Sequence, residues 1–392
     1  MNSKTVVPTA SAAENQTQEA PGVPQHSVAP TDYGTTAHFF NEIRDFLTQH
    51  PGLTTDAALK LTYFAFAILF AECAQAWPLA LVVAPDTTGS SLLLRMFASV
   101  CVAPVHVGDI TRSAMLTLPP SPRPTPLIID QLVPNGELER LLRVMGRPGA
   151  QVLRNGKFFD LFLPTLVCTA EPLRDGWITD QALQIALSPS RGPLPKFDSE
   201  SFNESGRHFR GKLRRYSEVN LAAVRGSQFD APSFSSPTRE LACMLGASIV
   251  DDPALQRCVP MLLESQDQDV RIRHADSIPA VTVEALLFLS HELSRRQALM
   301  GEIATIVNGI LKGRGEIFEV DPREVGNYVR ALGCFSERLG RAGRGIRFSR
   351  TVRSRIHELA EGYDVRTKLE NPTCEFCADA RARAVEAQKR GT

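Results

Sequence analysis

The chain has 392 residues, with 43 Lys+Arg against 43 Asp+Glu and 43% hydrophobic residues. Zero net charge excludes a uniformly basic nucleic-acid coat and an acidic tail protein, and eight cysteines over this length are too dilute for a disulfide scaffold, which leaves reduced thiols. The longest uncharged apolar run, Leu61 to Ala71, is about half of the roughly 20 residues a membrane helix needs, and no apolar h-region marks a secretory signal, so a soluble, cytoplasmic chain of two or three domains without a membrane partner is expected.

Residues 1 to 36 are Ala, Thr, Ser, Gln and Pro with four charged residues. They cannot bury enough surface to offset ordering entropy, and a disordered leader is expected. Residues 37–76 read as helices: Phe39, Ile43, Phe46 and Leu47 recur at helical spacing up to the stop at Pro51-Gly52, and Thr54 or Thr55 caps a second, largely buried helix. From 77 to 190 short β-rich runs alternate with crossover-length segments. The strands expected are Leu79 to Ala84, Val105 to Val107, Pro126 to Asp130, Pro164 to Cys168 and Leu183 to Leu187. Apolar runs so connected predict an α/β fold with a parallel sheet covered on both faces. Residues 191–293 give helical patterns, with a basic stretch at Arg207, Arg210, Lys212, Arg214 and Arg215. A compact unit over 294–366 and a charged tail over 367–392 complete the chain.

The first strand leads into Ala84-Pro-Asp-Thr-Thr-Gly89-Ser90-Ser91 and then a helix, the layout of a Walker A loop. In that motif backbone N–H groups face phosphates, a Lys neutralises them, and a Ser or Thr hydroxyl binds Mg²⁺. Gly89 and Ser91 match. Ser90 stands in the place of the Lys. Asp130 closes a strand that resembles Walker B, but the next position, usually a water-polarising Glu in active enzymes, is Gln131. Pro164 to Thr169 resembles the sensor strand, with Thr169 at its polar end, and Asp180-Gln181 resembles an Asp-Arg pair in which Gln181 replaces the Arg. Each motif taken singly is also what a polar βα loop or an ordinary strand end looks like. Their order and spacing together resemble the AAA+ branch of P-loop NTPases, in particular the helicase-like ATPases of plasmids, phages and other mobile elements. The resemblance implies the sheet order 5-1-4-3-2 and a helical lid over 191–293. The departures at Ser90, Gln131 and Gln181 fall on chemistry rather than on backbone geometry, which implies a pseudo-ATPase with at most weak ATP and Mg²⁺ binding and no catalytic residue.

Toward the C-terminus a long helix is expected from Leu293 to Leu311, then a strand-like Glu316 to Val320, then a helix opened by Asp321-Pro322. On that helix Val325, Val329 and Leu332 share one face, and Arg323, Asn327 and Arg330 share another. Arg and Asn can read guanine and adenine edges. The segment from Cys334 to Phe348 carries Arg338, Arg341, Arg344 and Arg347 around a Gly-rich tip, and between Arg338 and Arg355 there are seven Arg and no acid. The whole resembles a winged helix-turn-helix domain, which implies DNA as the partner. Self-association through the core is the second partner expectation.

Three other features complete the reading. Cys374-Glu-Phe-Cys377 supplies two zinc ligands where a closed site needs four, with His357 the only adjacent imidazole, so ordinary thiols are favoured over a metal site. His291-Glu292 lacks the second His of a zinc protease motif, and His106 and His357 read as structural. Two further functions stay open: an active ATPase on DNA in which Arg95 or a residue of the 207–215 cluster replaces the Lys, and a regulator that binds only protein partners.

Overall fold

A computed structural model describes residues 28–74, 76, 78–85, 87–116, 125–130, 132, 136–146, 149, 151–154, 156–160, 162–173, 175–189, 193–196, 198–292, 294–365, 371–379 and 382. The chain forms two compact units, Met1–Gln228 with Ala247–Leu255, and Phe229–Gly246 with Gln256–Thr392. Among the described residues no helix is long and apolar enough to cross a membrane, and all eight cysteines are free.

The first unit opens with helices α1 (Thr36–Leu47) and α2 (Thr55–Ala67), whose N-termini are satisfied by the hydroxyls of Thr35 and Thr54. There follow β1 (Leu79–Val83), α3 (Thr87–Ser99), β2 (Val105–Val107), α4 (Arg112–Leu116), β3 (Leu127–Ile129), α5 (Gly136–Met145), β4 (Gln151–Arg154), β5 (Lys157–Asp160), β6 (Thr165–Thr169), α6 (Gly176–Gln181), β7 (Leu183–Ala186) and α7 (Ser199–Arg225). Five strands make a parallel sheet in the order β7-β1-β6-β3-β2. Numbered over all strands of the chain this is 7-1-6-3-2; numbered over the five parallel strands alone it is 5-1-4-3-2. The shift in numbering comes from β4 and β5, which pair with each other as a separate antiparallel hairpin between the third and fourth parallel strands in sequence.

Alternation along the strands sends Leu79, Leu81, Leu127, Ile129 and Val167 into one core with Leu138, Leu141, Leu142 and Met145 of α5. Ala80, Val82, Ile128 and Leu166 face the other way and are also buried. Both faces are therefore covered, which is why these strands read as continuous apolar runs. The aromatic rings of α1, α2 and α7 pack into one cluster, with Phe66 against Tyr216 at 4.8 Å and Phe40 against Tyr63 at 4.7 Å. Of the expected leader, residues 1–27 lie outside the described residues. Residues 28–35 lie along α7: Thr31 N–H donates to the Gly211 carbonyl, Arg214 donates to the Val28 carbonyl, and Tyr33 stands edge-on to Tyr216.

The second unit takes most of α8 (Ser236–Ala247) and α9 (Pro253–Asp276), then α10 (Ile278–His291), β8 (Gln297–Leu299), α11 (Met300–Gly313), α12 (Pro322–Ala331), β9 (Glu337–Arg338), β10 (Arg344–Arg347) and α13 (Arg350–Gly362). Strands β8, β10 and β9 form an antiparallel sheet with β10 in the centre. Two expectations are corrected here. The helix expected from Leu293 begins only at Met300, because Gln297 to Leu299 pair with β10 instead. The strand expected at Glu316 to Val320 does not form. The Asn308 side chain accepts from the Val320 N–H at 2.9 Å and donates to its carbonyl at 3.0 Å, so Val320 needs no strand partner. One core ties the unit together, from Ala280, Val283 and Leu287 through Ile303 and Val307 to Val325, Val329, Ile346 and Ile356.

Asp175 shows how a single residue holds two elements of the first unit. It caps α6 through the Trp177 and Ile178 N–H groups and takes both ends of the Arg143 guanidinium of α5, at 2.7 and 2.8 Å. Burial pushes its carboxyl up, but the bonds from Arg143 and the backbone outweigh this and hold it below the usual carboxylate range. With the folded-state pKa depressed, its contribution is present above the unfolded value near about 3.9 and is lost as pH falls through the folded one. Asp175→Ala should cost about 1 kcal/mol at neutral pH. Urea unfolding of both proteins over a pH series should show the gap closing at acid pH.

Candidate functional site

The C-terminal edge of the parallel sheet collects most of the residues singled out in the first unit. Ala84 N–H donates to the Thr169 carbonyl at 2.9 Å, Asp130 N–H to Val107, and Leu132 N–H to Cys168. Ala84, Asp130 and Thr169 therefore end adjacent strands side by side, the usual place for a ligand in an open α/β sheet. Helix α3 starts at Thr87, so Gly89, Ser90 and Ser91 lie in its first turns and not in the loop before it. Gly89 does not adopt a positive φ.

Two side-chain bonds fix this edge. The Ser91 hydroxyl donates to Asp130 Oδ2 at 2.6 Å. Asp130 is 8% exposed, and its Oδ1 is buried with no hydrogen-bond partner among the described residues. His50, which the sequence reading passed over, is the second anchor. Its Nδ1 accepts from the Gly52 N–H at 3.2 Å, which leaves the ring proton on Nε2 to donate to the Gly89 carbonyl at 2.6 Å. The His-Pro-Gly helix stop was its only sequence signal.

Charge near this edge comes from α3 rather than from a loop Lys. Ser90 is buried at 1% exposure and carries none. Arg95 lies one helical turn beyond Ser91, its guanidinium 4.4 Å from the centre of the Phe202 ring. The pKa of His106, in the middle of β2, is lowered, chiefly by burial, with the Asp130 carboxylate raising it and Arg95 lowering it, so both charged groups act on this imidazole. The basic cluster on α7 is committed elsewhere: Arg210 bonds the Cys101 carbonyl, Lys212 pairs with Glu42, and Arg214 bonds Val28. Gln181 precedes β7, whose first residue pairs with Ala80, so it stands at the opposite edge of the sheet and does not join this group. Gln131 lies outside the described residues.

In the second unit, Arg323, Asn327 and Arg330 form the exposed face of α12, while Val325 and Val329 are fully buried on the other. The helix starts cleanly, with Asp321 and Glu324 bonding each other's backbone N–H groups. Arg338 and Arg344 are directly opposite in the β9–β10 ladder, both exposed, and Arg341 is exposed at the turn between them. None of the three has an acidic partner among the described residues. Arg347 is held by Glu337.

A third grouping joins the two thiols, expected to be ordinary cysteines, to His357, expected to be structural, and to His291. His291 at the end of α10, His357 on α13, Cys374 and Cys377 place one potential ligand atom each within 4.8 Å of all the others. The Cys374-Glu-Phe-Cys377 spacing signalled two of the four, with His357 near them in sequence, but no local signal relates His291, which lies 66 residues before His357.

No family model matches the chain, and no curated protein matches it. Among solved structures, that of Drosophila ORC bound to DNA is similar at 13% identity over 89% of this chain and 96% of that one, with a TM-score of 0.19. A score that low carries no argument about function.

Gly52 is the position where this edge tolerates least change. A Cβ there would run into the backbone carbonyl oxygen of Ser188, whose own N–H bonds the Gly52 carbonyl at 3.0 Å. Gly52→Ala should destabilise the fold by about 1–3 kcal/mol, seen as a lower urea midpoint at an unchanged slope.

Proposed function

We propose that the protein associates with DNA through a winged-helix-type second unit, and that its first unit is a P-loop-type core from which nucleotide hydrolysis has been lost. The observation that carries the first part is the Arg338–Arg344 pair. Like charges directly opposite in a ladder are destabilising, yet these two arginines face each other with Arg341 at the turn between them, none of the three pairs with an acid among the described residues, and Glu337 of the same ladder is taken by Arg347. A polyanion relieves that repulsion. The order α10, β8, α11, α12 and then the β9–β10 hairpin supports the same reading, with α12 as the recognition helix offering Arg323, Asn327 and Arg330 to base edges and the hairpin as the wing.

The second part rests on what the sheet edge keeps and what it lacks. It keeps a hydroxyl–carboxylate pair, Ser91 with Asp130, of the kind that supports Mg²⁺ in working enzymes, and the bare Asp130 Oδ1 suits a cation. It lacks a charge at Ser90, and an early helix start replaces the wide phosphate loop. A site of this kind can hold Mg²⁺ and nucleotide weakly and cannot stabilise a transferring phosphoryl group. The core then serves self-association or docking while the second unit holds DNA.

A fluorescence titration of a labelled duplex across salt concentrations tests the first part. Four phosphate contacts give a log–log slope of about −3.6, and Arg338→Gln/Arg341→Gln/Arg344→Gln should flatten it to about −0.9. Salt-insensitive binding, or no binding to any duplex or single strand, would leave a protein-partner role instead. For the second part, phosphate release from ATP should not exceed a buffer blank with or without DNA. Release that disappears in Asp130→Ala would refute the loss of hydrolysis.

A further inference from the structure

Near the C-terminus two thiols and two imidazoles converge from three separate segments. Cys374 and Cys377 are buried at 4% and 0% exposure, and their i, i+3 spacing brings both sulfurs to one side of a single helical turn. His291 closes α10. His357 is buried on α13 at 2% exposure. The contacts between them are His291 Nε2 to His357 Nε2 at 3.1 Å, Cys374 Sγ to His357 Nε2 at 3.3 Å and Cys377 Sγ to His291 Nε2 at 3.3 Å. A tetrahedral ion with Zn–S bonds of about 2.3 Å and Zn–N bonds of about 2.0–2.1 Å has ligand–ligand edges of roughly 3.3 to 3.8 Å. These three separations are close to such edges, and all four atoms lie within 4.8 Å of one another. An apolar core has no reason to aim four soft donor atoms at one point.

The surroundings match a metal centre as well. His357 Nδ1 lies 2.7 Å from the Arg353 carbonyl, which can only accept, so the ring proton sits on Nδ1 and the Nε2 lone pair faces the cluster. A backbone carbonyl on the far nitrogen is the usual outer partner of a metal-bound imidazole. Two sulfurs and two imidazoles select zinc over magnesium or calcium, which take oxygen ligands. Four protein ligands leave no position for substrate.

We propose that His291, His357, Cys374 and Cys377 form a structural zinc site that fastens the segment 371–379 to the end of α10 and the middle of α13. In binding, the thiols lose their protons to solvent and the metal keeps its oxidation state.

Metal analysis of the full chain, produced with zinc in the medium and purified without chelator, tests this. About one zinc per chain is expected, and X-ray absorption should resolve two sulfur and two nitrogen neighbours at about 2.3 and 2.0–2.1 Å. Cys374→Ser/Cys377→Ser should lower the zinc content at least tenfold. Should that variant fail to fold, cobalt substituted into the parent protein still decides, since tetrahedral thiolate ligation gives intense visible bands and a sulfur-to-metal charge-transfer band. A folded parent that holds no zinc, a Cys374–Cys377 disulfide in protein purified without oxygen, or bound zinc with other than two sulfur and two nitrogen neighbours would overturn the assignment.

Discussion

A carboxylate buried at the end of a central strand has to be hydrogen-bonded or faced by positive charge, and Asp130 sets that constraint for the first unit. Its strand lies between β2 and β6, so the side chain cannot turn to solvent without leaving the ladder. Ser91 meets one oxygen of the group, and this fixes where α3 starts. His50 in turn holds the carbonyl of Gly89 and brings the turn after α1 against the same edge. The close approach of Gly52 to Ser188 completes the chain of contacts. Taken together, these contacts tie the turn after α1, the first turns of α3 and the end of β3 to one edge of the sheet.

The second unit meets the opposite problem, an excess of positive charge on a small surface. Buried Val325, Val329 and Ile346 hold α12 and the hairpin in place from beneath, and this packing lets Arg338 and Arg344 stay opposite each other. Packing energy from the core offsets the electrostatic cost on the surface. The thiol and imidazole cluster belongs to the same unit and lies at the end of α10 and the middle of α13, two helices that also contribute to that core.

Much of this was legible from periodicity alone. The parallel strands announced themselves as continuous apolar runs because both faces are covered, and α12 showed its two faces because Val325 and Val329 alternate with Arg323, Asn327 and Arg330 at helical spacing. The β4–β5 hairpin carried a signal too, Asn155-Gly156, and Gly156 takes the left-handed φ of +73° that such a turn requires. The start of α11 was not legible, since Gln297 to Leu299 form a strand only because Gly345 to Arg347 of β10 return from far along the chain to pair with them. Val320 illustrates the same limit, its backbone being satisfied by a side chain rather than by a strand.

The sequence by itself determined that the first unit would be a doubly covered parallel sheet with a charge-poor turn after its first strand, and that arginine would be the only charged residue type from Arg338 to Arg355. Those properties follow from residue type and spacing along a short stretch. Tertiary structure decided that Asp130 would meet Ser91 and keep one oxygen without a partner among the described residues, that Arg338 would face Arg344, and that His291 and His357 would meet Cys374 and Cys377. Each of those meetings joins residues that no local period relates. Only the packing of the elements between them sets the distance.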